Sequence, residues 1–244
     1  MKKFLTLTLL SLSTLLIFLS NSSTPNNGNT GAPAEGKCTS CHSGGTGTTT
    51  VSYTMNTSTP NQYKNDSVYT GTVSVNNSTY TLGTNRWGFE ITARDSNNNK
   101  IGTFTVTNGT TTILSAGTKD YMKHKNANIN VGTKVWSFSY TAPSTATYNG
   151  TITFYVAGLA CDGTGGTGGD MLKCDSFKFT RFTPTPDINV KQGTTTYLNN
   201  STYNYGNTFK NTNNDKVFTI ENTGAATLNT NSFNITGTHA SMFT

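Results

Sequence analysis

The sequence predicts an all-β protein built around an antiparallel β-sandwich, and three observations predict it. Apolar residues recur at every second position in several stretches, no window carries the period of an amphipathic helix, and clusters of Asn, Ser, Gly and Asp separate the stretches at short intervals. Period two is the repeat of a strand whose successive side chains point to opposite faces of a sheet. Short spacing between such strands favours hairpins and Greek-key connections.

Taken in chain order, the first element lies outside the fold. "MKKFLTLTLLSLSTLLIFL" places Lys2 and Lys3 ahead of an apolar run too short and too poorly flanked for a membrane span. Residues 1–22 are therefore expected to be a Sec signal peptide, with an uncleaved N-terminal anchor as the alternative, and the mature chain is expected to have no membrane span. Residues 23–47 are Pro-, Gly- and Asn-rich with little apolar surface, the composition of a flexible leader, and they contain the motif "CTSCH". From residue 48 alternation begins: "VSYTM", "GTVSV", "WGFEITAR", "VWSFSY", "TITFYV" and "SFKFTRF" are strand candidates. In "WGFEITAR", Trp87, Phe89, Ile91 and Ala93 share one face, and Gly88, Glu90, Thr92 and Arg94 share the other. These strands make a sandwich over residues 48–182, roughly seven to nine strands in about 100 to 130 residues. "TPTPD" at 183–187 marks a linker. Residues 188–244 alternate again but lack a closing strand pattern, as in an incomplete β domain, so further C-terminal domains of the same protein are expected.

Charge and motifs exclude several function classes. The formal charge of +6 falls to +4 once Lys2 and Lys3 leave, and the remaining basic residues are scattered, so no nucleic-acid footprint exists. No G-x-S-x-G elbow, H-E-x-x-H helix or P-loop is present, and three histidines leave few possible bases, so no enzyme is expected. Export as a secreted or cell-surface protein would put the four cysteines in an oxidising compartment, where disulfides persist.

The chemistry is concentrated in "GKCTSCHSGG". Two thiols three positions apart with histidine next is the spacing at which both form thioethers to one haem while the histidine ligates its iron. On this reading Cys38 and Cys41 attach haem c and His42 is an axial ligand. A Cys38–Cys41 disulfide or a zinc clip from Cys38, Cys41, His42 and His124 remains open, although adjacent Cys41 and His42 make an awkward tetrahedral pair. Cys161 and Cys174 flank a Gly-rich stretch, and export makes a disulfide between them the expected state, worth roughly 3 kcal/mol in the chain-entropy model. Asp162, Asp170 and Asp175 lie nearby at a spacing that fits no EF-hand.

Four blocks in order, "TGAPAEGKCTSCHSGG", "WGFEITARDSNNNKIGTF", "DYMKHKNAN" and "VWSFSYTAPSTATYNGTITFYVAG", resemble the choice-of-anchor V domain, itself similar to the Reeler domain, across residues 30–182. The resemblance implies an Ig-like sandwich in secreted or surface proteins, with no enzymatic activity. The tail, through "VFTIENTGAATLN" and "ITGTHASMF", resembles a choice-of-anchor D or Hydin-type Ig-like repeat, an interaction or spacer module. His124, in a loop that matches the His-bearing block of the family, is the preferred sixth ligand of a low-spin haem, ahead of Met55, Met122 and Met171. His239 matches the repeat and reads as structural. Two functions follow as expectations: a haem-bearing module for extracellular electron transfer or haem-dependent binding with a redox partner, or a structural or adhesive surface protein whose motif is a disulfide or metal clip.

Overall fold

The computed structural model describes residues 24–109, 112–126, 128–145 and 148–243, so the expected signal peptide lies outside the described residues. The chain divides between Phe182 and Thr183 into two compact units. Among the described residues the secondary structure is β-strand except for two single-turn 3-10 helices, and no helix is long and apolar enough to cross a membrane.

Among its described residues the first unit holds twelve strands: β1 (Ser43–Gly44), β2 (Thr50–Met55), β3 (Gln62–Tyr63), β4 (Val68–Asn76), β5 (Arg86–Arg94), β6 (Thr103–Thr105), β7 (Thr112–Ser115), β8 (Tyr121–His124), β9 (Asn128–Ile129), β10 (Thr133–Thr141), β11 (Ile152–Cys161) and β12 (Gly168–Arg181). One sheet runs β1-β12-β11-β5-β8-β7, with β3 beside β12 and β9 beside β5; the other runs β2-β4-β10-β6. Pairing is antiparallel except where two-residue β1 and β3 lie parallel to β12. The count exceeds the seven to nine expected because four strands of two or three residues are too short to show a period.

The alternating apolar positions meet between the sheets. Trp87, Phe89, Ile91, Trp136, Phe138, Tyr140, Ile152, Phe154 and Val156 are buried there. Phe154 touches Tyr53 at 4.5 Å and Tyr140 at 4.8 Å between ring centroids, in the tilted and edge-on contacts that aromatic quadrupoles favour.

The other face of β5 departs from expectation. Gly88, Glu90, Thr92 and Arg94 are buried as well: residues 24–37 reach Glu90 and Arg94, Thr92 donates to the Asp120 carbonyl, and His124 lies over Gly88. The flexible leader expected over residues 23–47 is therefore, in its described part, a fixed strap. Glu90 accepts hydrogen bonds from the Gly28 and Asn29 N–H groups at 3.1 and 2.9 Å. Lys123 Nζ donates to the Pro25 carbonyl and to Asn27 Oδ1. Arg94 Nη2 meets Glu35 Oε1 at 2.7 Å, with both side chains nearly inaccessible, and Tyr121 donates to the same oxygen. Polar anchoring of this kind leaves no apolar period in the sequence, so composition gave no warning of it.

The second unit holds β13 (Ile188–Gln192), β14 (Thr195–Tyr197) and β15 (Thr219–Asn222) in a three-stranded antiparallel sheet ordered β14-β13-β15. Thr185, in the stretch expected as linker, accepts hydrogen bonds from the Ala225 and Ala226 N–H groups of this unit.

Candidate functional site

The C-x-x-C-H motif folds as a single 3-10 turn, Cys38–Ser40. The Cys41 and His42 N–H groups both donate to the Cys38 carbonyl, at 3.1 and 2.9 Å. Three residues per turn bring positions 38 and 41 to the same side of the turn. Two further backbone bonds tie the motif to the sheet, from Ser43 N–H to the Thr167 carbonyl and from Gly45 N–H to the Asp170 carbonyl.

Beneath this turn the outer face of the sheet pairs small residues with longer ones. The strand register places Gly88 opposite Leu159, Glu90 opposite Ala157, and Arg86 opposite Cys161. Over that floor lies a cavity of about 120 Å³ that opens to solvent. Cys38, His42 and His124 all line it, together with Trp87, Phe89 and Leu159, while Arg86, Glu90 and Cys161 supply its polar groups. The loop at Gly163, Gly165 and Gly166 forms another wall. Gly163 has φ +86°, and a Cβ there would sit 2.3 Å from the Thr84 carbonyl oxygen, so the loop requires glycine.

Each histidine is held by one nitrogen. His42 Nδ1 lies 2.6 Å from Asp170 Oδ2, whose side chain is fully buried. His124 is not in the loop expected from sequence: it ends β8, and its Nδ1 lies 3.1 Å from the Phe89 N and 3.2 Å from the Phe89 carbonyl. Its ring covers Gly88, where a Cβ would come within 2.7 Å of Cε1. Burial is the main influence on His124, lowering its pKa to about 4, so the ring is neutral at neutral pH. Of the three methionines weighed as alternatives, Met55 and Met122 are buried in the core and Met171 packs against it.

The cysteines separate by environment. Cys38 is half-buried and its thiol is pushed up to about 12 by desolvation, with lesser contributions from Cys174 and Glu90. Cys41 is exposed. Burial also raises Cys161 and Cys174. The Cys161–Cys174 disulfide expected from sequence does not form, and both are free thiols. β12 begins at Gly168, and the register pairs Cys174 with Ala157, four residues back along β11 from Cys161. Four residues of strand are roughly 13 Å, about twice the Cα separation a disulfide spans. What looked like a glycine loop between the two cysteines is half strand.

Among the described residues, the histidine, cysteine and acidic side chains that cluster three at a time are His42, Cys161 and Asp170, with ligand atoms within 4.8 Å of one another. The zinc set weighed from sequence, Cys38, Cys41, His42 and His124, is not gathered in this way. Sequence reasoning passed over Asp170 as a partner of His42, since 128 positions separate them and no local pattern links them.

Comparison with solved structures gives low identities and low TM-scores. A human F-spondin reeler domain is 13% identical with a TM-score of 0.37, over 57% of this chain and 95% of that one. A cohesin module from a Clostridium perfringens family 33 glycoside hydrolase is 11% identical with a TM-score of 0.34, over 55% and 100%. The major pilin SpaD of Corynebacterium diphtheriae is 11% identical with a TM-score of 0.33, over 60% and 39%. No curated protein matches the chain. The Reeler domain model matches residues 36–159, half of the chain, from the glycine that precedes the C-x-x-C-H turn into β11, and the chain belongs to the Reeler domain family.

Proposed function

We propose that this protein is an exported, non-enzymatic Reeler module that carries a c-type haem, attached through Cys38 and Cys41 and ligated by His42 and His124, for extracellular electron transfer or haem-dependent binding. One observation carries the reading: Cys38 and His42 of the C-x-x-C-H turn line the same cavity as His124, which comes from a different strand. The walls suit such a group. Leu159 is apolar, and Arg86 offers a cation to a carboxylate. When bound, haem supplies a one-electron centre whose potential is set by axial ligands and burial.

The chain's own groups have definite tasks. The Cys38 and Cys41 thiols would hold the group covalently by thioether bonds, formed by addition to its two vinyl groups with nothing released. Burial of His124 keeps a neutral imidazole with a lone pair to donate. Gly88 leaves room for that ring over the sheet. The strap residue Pro25 closes one side of the cavity against water.

The test is expression alongside a c-type maturation system, followed by denaturation and measurement of covalent haem absorbance. Haem is expected to remain with the wild-type chain and to be impaired in Cys38→Ala and Cys41→Ala. In His124→Ala, attachment should persist while the spectrum moves from low-spin toward high-spin; an unchanged spectrum would remove His124 as a ligand. A colourless wild-type product, from cells that mature a control cytochrome, would overturn the reading and favour a display or adhesive module.

A further inference from the structure

The group formed by His42, Cys161 and Asp170 has two readings, and distance decides between them. Around a tetrahedral zinc with bonds of about 2.0–2.2 Å, neighbouring nitrogen and oxygen donors lie about 3.3 Å apart. His42 Nδ1 and Asp170 Oδ2 are 2.6 Å apart, the spacing of a strong, charge-assisted hydrogen bond. The rest of the group is bonded in the same sense. The Cys161 side chain hydrogen-bonds to Asp170, and the Asp162 N–H donates to Asp170 Oδ1 at 3.3 Å. Asp170 thus collects donors from the C-x-x-C-H turn, from the end of β11 and from the loop after it. Its own position is fixed by its place in β12 and by the Gly45 N–H on its carbonyl.

We infer that Asp170 is the positioning residue for His42: it holds the proton on Nδ1, leaves Nε2 as the ring nitrogen free for the cavity, and places a negative charge behind the ring. This rests on the haem reading above and deepens it. A histidine whose second nitrogen donates to a carboxylate is fixed in one tautomer and becomes a more basic ligand. A more basic ligand with a negative charge at its back stabilises the oxidised iron relative to the reduced, and so lowers the potential.

The experiment compares the haem-loaded wild type with Asp170→Asn and Asp170→Glu by potentiometric titration. Loss of a partner behind a metal ligand costs about 10- to 100-fold. At the lower end, a tenfold change in the oxidised-to-reduced preference raises the midpoint of the Asn variant by about 59 mV for a one-electron couple. Asp170→Glu, which keeps the charge, should return most of that shift. Covalent haem in wild type and Asn variant with equal midpoints overturns the inference and leaves the haem reading standing, whereas absence of haem from the wild type overturns both. Nitrogen-15 NMR of His42 in the wild type needs no substitution: Nδ1 protonated and Nε2 bare or iron-bound is expected, and a proton on Nε2 would overturn the assignment even if Asp170→Asn failed to fold.

Discussion

At Gly88 a methyl group would meet the His124 ring, 2.7 Å from Cε1 and 2.9 Å from Nδ1. Sequence alternation gives this glycine only as an outward position on β5; the ring that covers it arrives from β8. Crowding of this kind in a packed site costs about 1–3 kcal/mol. Gly88→Ala is therefore expected to lower the free energy of unfolding in urea by that amount and to displace His124, seen as a change in its NMR shift. A variant as stable as wild type with an unshifted His124 would show that the ring does not rest there. His124 and His42 illustrate the same limit. His42 was legible from the C-x-x-C-H spacing and His124 from the family resemblance, but their convergence on one cavity depends on strands that pair across long sequence separations.

The strap and β5 form the element at which polar anchoring replaces an apolar period. Glu90 is held by two N–H groups and faces Lys123, yet burial is the larger influence and pushes its pKa up to about 7 from 4.5. Between those values the folded chain keeps a proton that the unfolded chain has lost. The contribution of Glu90 to stability therefore falls as pH rises through about 4.5 to 7 and levels off above. His124, whose pKa is lowered to about 4, contributes a rise of the opposite sign up to about 6.5, so the test is the difference between two proteins: the urea midpoint of Glu90→Gln relative to wild type should increase as pH goes from 5 to 8, whatever its absolute stability. Equal slopes in the two proteins would contradict the assignment. Glu35 responds in the opposite direction: burial alone would raise its pKa, but hydrogen bonds from Thr30, Tyr121 and Arg94 together outweigh burial and lower it. Its carboxylate is thus a firm partner for buried Arg94 at the strap's far end.

On the scale of the whole molecule, both tryptophans of the chain, Trp87 and Trp136, belong to the core of the first unit, which is complete by Phe182. A chain of residues 24–182 should therefore unfold cooperatively by tryptophan fluorescence, with the same midpoint as residues 24–244. A lost or broadened transition in the shorter chain would show that the division between Phe182 and Thr183 does not separate folding units.

The sequence by itself determined the fold class, the principal strands and the place of the C-x-x-C-H motif. Alternation in "WGFEITAR" and "VWSFSY" is a local consequence of burying one face of a strand, and it is written in neighbouring residues. The turn at Cys38–Ser40 is equally local. Only the tertiary structure decided what covers β5, which cysteines are neighbours and what stands behind His42. Glu90 meets Gly28 across 62 positions and Asp170 meets His42 across 128. Cys161 and Cys174, only 13 apart in sequence, are kept from each other by a strand register that advances along both strands at once. Polar contacts and register depend on where whole strands lie, and no spacing within one segment encodes that.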